Sequence, residues 1–189
     1  MQARAELEEA SIRFANGDDA GAEAGLIEML SPKGSRAGHS DTWMTLFDLY
    51  RATGQQDKFE TTAIRFVELF NRSAPQWFSM PDKVRQMDGM SLQMGSNLFS
   101  IELSGQIQGD AIAVLDQLEA KLMGADIMHI SCAKLIRVDF SAADTLLNWV
   151  SARQAEGRSV QFSDVNRLVV AFFNVVGITE CARVVTRVD

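Results

Sequence analysis

The sequence predicts an α+α/β protein: paired helices in the N-terminal half, followed by an α/β half with a mainly parallel or mixed sheet covered by helices. Three observations carry this expectation. Apolar residues recur at helical spacing from Leu7 to Phe70. From Leu98 the period falls to two, with Phe99, Ile101 and Leu103 alternating with polar neighbours. Beyond that point short apolar runs alternate with amphipathic stretches, the pattern of strands joined by helical crossovers. The boundaries expected are a helical domain over 1–72, a linker over 73–95 and the α/β domain over 96–189.

Two helices are expected between Ala3 and Leu30. ELEEASIRFA places Leu7, Ile12 and Phe14 among charges, and Asn16-Gly17 ends the first helix. Asp18 and Asp19 supply carboxylates to the start of the second, AGAEAGLIEML. SPKGSRAGHS, residues 31–40, reads as loop. A second pair follows, SDTWMTLFDLYRATGQ and DKFETTAIRFVELFNR. An offset of 37 residues aligns Ala15 with Ala52, Gly17 with Gly54, Ile27 with Ile64 and Leu30 with Val67. The order Trp43, Leu46, Tyr50 then resembles the opening of a tetratricopeptide repeat, with Phe47 and Phe59 standing where smaller residues are usual. The reading favoured for Trp43, Tyr50, Phe66 and Phe70 is the core of helix hairpins, ahead of a peptide groove.

The stretch 71–98 holds two of the chain's three prolines and four methionines, with little periodicity. Trp77, Phe78 and Met80 are too apolar for a free tether and are expected to fasten it to a domain. After the strand at 99–103, SGQIQGD is expected to turn into a helix carrying Val114, Leu115 and Leu118. Asp126 to Ile130 and Lys134 to Val138 are two short strand candidates. Ser141 is expected to open a helix with Leu146, Leu147 and Val150. SVQF is a further strand, DVN a turn and RLVVAFFNVV a strongly apolar helix ended by Gly177. Arg183 to Val188 completes the set.

Composition narrows the function. At 189 residues the chain holds one ordinary domain or two small ones. No apolar window of about 18 residues occurs, which excludes a membrane span. The polar, acidic N-terminus lacks the layout of a signal peptide, so the cytoplasm is the expected location. The net charge of −7 divides as −4 over residues 1–90 and −3 over 91–189. Neither half suits a phosphate backbone, so nucleic acid is not an expected ligand. Two cysteines, Cys132 and Cys181, form no CxxC pair and support neither a disulfide framework nor a zinc ribbon.

The run MHISCAKLIRVDFSAADTLL, then EGRSVQFSDVN, then FFNVVGITECARVV, resembles a STAS domain, the fold of sulphate transporters and anti-sigma-factor antagonists. The resemblance spans about residues 96–188. It implies that Asp139, Phe140, Ser141 and Ala142 occupy the positions of the family's Asp-Ser-Ser-Gly motif. Ser141 then matches the phosphoacceptor of anti-sigma-factor antagonists, whose phosphorylation releases the partner. Phe140, Ala142 and Ser131 depart from the family pattern. A second reading of Ser141 is an N-cap with Asp144 three residues on as its box-like partner.

Other chemistry has weaker support. His129 and Cys132 form an H-x-x-C pair without a second metal pair, and a core role is expected. No phosphate loop, HExxH helix or nucleophile elbow is present, so neither enzyme activity nor a cofactor is expected. Trp149, off the stripe of its helix, and Phe172 and Phe173, in a helix apolar nearly all round, are candidate partner-binding residues with Asp144. For both patches, coverage by the linker or the helical domain is the equal alternative.

The function expected is a non-enzymatic regulatory adaptor that binds a protein partner, an anti-sigma factor or a kinase, through Ser141. The alternative is a STAS accessory subunit of a phospholipid ABC transport complex that contacts the transporter ATPase.

Overall fold

Each of the first two helix pairs is joined by a turn that only glycine makes without strain. In the computed structural model, which describes residues 2–34, 37–82, 100–109, 112–121 and 126–187, Gly17 and Gly54 have φ of 86° and 68°. Gly17 separates α1 (Gln2–Ala15) from α2 (Asp19–Leu30), and Gly54 separates α3 (Ser40–Thr53) from α4 (Gln56–Phe70). Asp18 caps α2, its carboxylate accepting from the Gly21 amide at 2.9 Å. The helices pack in sequence, α1 on α2, α2 on α3 and α3 on α4. Phe14, Leu26, Trp43, Leu46, Phe47, Tyr50, Phe59 and Phe66 fill the core between them. The internal repeat is therefore structural at its turns, with Ala15 and Ala52 both buried. It fails at its last pair: Leu30 is buried under α3, whereas Val67 on the outermost helix is 43% exposed.

The second half contains β1 (Ser100–Ile107), α5 (Ile112–Lys121), β2 (Ile127–Val138), α6 (Phe140–Ala155), β3 (Ser159–Val165), α7 (Arg167–Val176), a 3₁₀ turn (Ile178–Glu180) and β4 (Arg183–Thr186). The strand order is β1-β2-β3-β4, and all three described pairings are parallel. Consecutive parallel neighbours joined by right-handed crossovers put their helices on one face. The strands agree: Leu103, Met128, Ile130, Val160 and Phe162 are buried, whereas Glu102, His129, Ser131, Gln161 and Ser163 between them are less so.

β2 is one strand of 12 residues, not two short ones. Two register shifts against β1 explain the appearance of a break. Between Glu102 and Ser104 the partner on β2 advances from Ser131 to Lys134, and between Gly105 and Gln106 from Leu135 to Arg137. Each bulge inserts one residue and flips the facing. The core positions therefore run Met128, Ile130, Cys132, Leu135, Val138. A period of two fails at both bulges. β1 likewise runs to Ile107, beyond the expected turn, with Gly105 at φ 74° accommodating the second shift.

The two halves interlock. The phase change turns Ile136 and Arg137 towards the helical half, where Ile136 and Leu168 join its core. The Arg137 guanidinium pairs with Asp19 at 2.7 Å, donates to the Phe14 carbonyl at 2.7 Å and lies 4.4 Å from the Phe14 ring centroid. Asp48 of α3 accepts from the Arg167 amide at the start of α7 at 2.8 Å. The segment after α4 runs through this junction. Met80 is fully buried, and Phe78 has the guanidinium of Arg51 at 4.4 Å and that of Arg187 at 4.5 Å. The linker expected over 73–95 is thus fastened to both halves in its described part, which ends at Asp82.

Candidate functional site

β2 delivers the chain to the sheet's C-terminal edge, where Asp139 starts α6. Its amide donates to the Ile107 carbonyl at 3.2 Å, continuing the pairing with β1. Its Oδ1 accepts from the Ala142 amide and its Oδ2 from the Gly109 amide, both at 2.8 Å. One carboxylate thereby caps the helix and holds the loop after β1. Asp139 is the N-cap of α6, and Ser141 is the second helical residue. The expectation of a Ser141 cap with Asp144 as its box partner is corrected accordingly. Asp139 reaches the free amides of the first turn two residues earlier, and Asp144 lies too far into the helix to return to the cap.

This capping leaves the next residues facing outward. Phe140 is 42% exposed, its remaining surface set edge-on against Phe172 with centroids 4.8 Å apart. Ser141 is exposed, and its hydroxyl forms no side-chain hydrogen bond with a described residue. Its carbonyl accepts from the Thr145 hydroxyl at 3.0 Å. Ala142, where the family motif has Gly, is 1% exposed and packs into the sheet core. Asp144 is exposed. Phe140 and Asp144 are four apart and Ser141 and Asp144 three apart, so the three share one helix face.

The remaining candidates lie elsewhere. Trp149 is half-buried against the sheet core, with the Arg153 guanidinium 5.6 Å from its ring centroid. Phe172 and Phe173 are 2% and 0% exposed. They are core, not a docking face, because α1 and α3 pack on α7 and Ala15 joins their cluster. Cys132 is fully buried, and burial pushes its thiol above the ordinary range, which leaves no thiolate for nucleophilic chemistry. His129 lies on the opposite face of β2 from Cys132, as an odd spacing before the first bulge requires. Among the described residues no group of three or more His, Cys, Asp or Glu side chains converges to hold a metal. No described helix is long and apolar enough to cross a membrane.

At the opposite end of α6, Glu119 of α5 pairs with both Arg153 and Arg158. Burial raises the Glu119 carboxyl, but hydrogen bonds from Arg158 and Arg153 and their charge outweigh it, and the group sits below the ordinary range. The residues that sequence reasoning missed are Gly109, which completes the Asp139 clamp, and the pairs Asp19–Arg137 and Asp48–Arg167. Asp48 and Arg51 do carry a signal, as charges inside the apolar run TLFDLYRA; they form a buried pair at 3.2 Å.

Comparison with known families matches residues 90–186, just over half of the chain, to the STAS family described as "Mlab, STAS domain". Comparison with curated proteins and with solved structures gives no match. STAS domains are generally non-catalytic modules of protein interaction. The parallel strands, their crossover helices and the Asp139 turn all lie within the matched residues or their described part, and the chain belongs to the STAS domain family.

Proposed function

We propose that the chain is a non-enzymatic adaptor whose STAS module docks a partner protein on the turn between β2 and α6, with Ser141 as the position where added charge switches docking. One observation carries this reading: an aromatic ring 42% exposed stands beside an uncommitted hydroxyl on a turn pinned by the Asp139 clamp. A partly exposed aromatic on a rigid backbone suits an interface anchor, because little conformational freedom is lost on binding. A phosphate on Ser141 adds roughly two negative charges at a helix N-terminus, where the free amides and the dipole favour it. The partner on this reading is an anti-sigma factor or a related kinase in the cytoplasm, with neither nucleic acid nor a cofactor involved.

The test is quantitative capture by the tagged full-length chain from its own cell extract, followed by mass spectrometry. A protein held by the wild type should be lost with Phe140→Asp, retained with Ser141→Ala and altered in amount with Ser141→Asp. Equal capture by all four forms contradicts the proposal.

The description of the matching family as "Mlab, STAS domain", together with Phe140 and Ala142 in the motif, supports a second reading. On that reading the chain is an accessory subunit of a phospholipid ABC transport complex and needs no phosphoacceptor. An ATPase captured equally by the wild type and Ser141→Asp supports this reading over the switch.

A further inference from the structure

We infer that two copies of the chain associate through their α4 helices, packed antiparallel about a two-fold axis between Ile64 and Val67, with Glu60 of each copy facing Arg72 of the other. The dimer needs nothing from the turn at Asp139.

The two ends of the helical stack differ. At one end α1 packs against α7 and is covered by the sheet half. At the other, α3 is the one described element that packs extensively on α4. The segment after α4 returns across Phe59, where Trp77 stands edge-on at 5.2 Å, yet it leaves Ile64 62% exposed and Val67 43%. The 37-residue repeat shows what these positions do inside the stack. Leu30, the counterpart of Val67, is buried where α3 follows α2, and Ile27, the counterpart of Ile64, is less open at 44%. Stacked helical units bury their apolar side on a neighbour, and a terminal unit carries a polar outer face. The outer face of α4 keeps an apolar centre.

That face fits a second copy of itself. Asp57, Glu60, Ile64, Val67 and Asn71 are separated by three, four, three and four residues, the spacing of a coiled-coil seam, and all five are exposed. The acids of the seam lie at its N-terminal end, and Arg72 stands just past its C-terminal end. Antiparallel pairing about the middle sets Ile64 against Val67 of the second copy, opposes the two helix dipoles and brings Glu60 to the far copy's C-terminal turn. Glu60 accepts from the Gln56 side-chain amide at 3.2 Å within its own helix and forms no ion pair with a described residue. Arg72 forms none either; its guanidinium lies 5.4 Å from the Phe66 ring centroid. Each charge therefore meets its opposite across the axis. Parallel pairing would set Glu60 against Glu60 and Asp57 against Asp57, which like charge disfavours.

The experiment is sedimentation velocity on the full chain, over about three decades of concentration up to about 1 mM, where an interface this small associates reversibly. The wild type should shift from monomer to dimer. Ile64→Glu should remove the shift with far-UV circular dichroism unchanged, because the residue is exposed. Leu69→Glu, at an exposed α4 position off the seam, should leave the shift intact. Glu60→Arg and Arg72→Glu should each weaken association about tenfold at low salt, since each sets two like-charge contacts into the dimer. An equal mixture of these two variants should associate as the wild type does, because each supplies the charge the other lacks. A monomer at every concentration overturns the inference and leaves the face to a helix of another protein. A dimer indifferent to Ile64→Glu, or lost equally with Leu69→Glu, places association elsewhere and overturns it as well. Indifference to both charge reversals, or a mixture no stronger than either variant alone, removes the Glu60–Arg72 pairing and with it the antiparallel dimer.

Discussion

The ring of Phe140 stands edge-on to that of Phe172, with planes 84° and centroids 4.8 Å apart. Phe172 is core, so the exposed ring of the proposed docking face is braced by the interior, and α7 behind it is held by α1 and α3. The two phenylalanines should separate stability from docking. Phe172→Ala removes a fully buried ring and should cost about 3–5 kcal/mol in urea denaturation. Phe140→Ala should cost about 1 kcal/mol or less while weakening capture, since nearly half its surface is already in water.

The Asp139 clamp predicts an asymmetry between adjacent motif positions. Asp139→Ala deletes the cap and the anchor of the loop after β1 together, and should destabilise by about 2–3 kcal/mol. Ser141→Ala should change stability by less than about 0.5 kcal/mol. Similar losses for the two variants would restore Ser141 as the cap.

The shared cores predict one unfolding unit. Ile136 and Leu168 are counted in the helical core and Ala15 in the sheet core, with the buried Arg137 between them. Tryptophan fluorescence, with Trp43 and Trp77 in the helical half and Trp149 on α6, should follow the same denaturant transition as far-UV circular dichroism. Arg137→Ala leaves Phe14 and Asp19 without their partner and should cost about 2–4 kcal/mol. Two resolved transitions would show that the halves fold separately.

Acid should act through Glu119. Its carboxyl lies below the ordinary range in the folded chain, so its contribution is present above the unfolded value of about 4.3 and is lost as pH falls through the folded value. Stability measured below about pH 4 should therefore fall less steeply in Glu119→Gln than in the wild type. An unchanged acid limb would show that the Arg153–Glu119–Arg158 contacts are screened to insignificance.

Local chemistry made the helix hairpins legible, because Gly17, Gly54 and Asp18 each have a sequence signature that needs no partner. The apolar run at 167–176 and Gly177 marked α7 for the same reason. β2 was less legible: a bulge is set by the register against β1, so two interruptions of the period read as a gap between strands. At the site, the order Asp139, Phe140, Ser141, Ala142 was visible, but which residue caps the helix depended on Gly109, 30 positions earlier. The fate of Phe172 and Phe173 was settled by long-range packing that periodicity cannot carry. A helix apolar all round can be covered by its own chain or by another, and here α1 and α3 cover it.

The most direct measurement is site-specific photocrosslinking in the cell, with benzoylphenylalanine in place of Phe140 and, as control, of Ile127, which is 64% exposed at the opposite end of β2. Docking on the turn predicts one discrete crosslinked protein from position 140, altered in yield by Ser141→Asp and absent from position 127. No adduct at 140, or the same adducts from both positions, would contradict it.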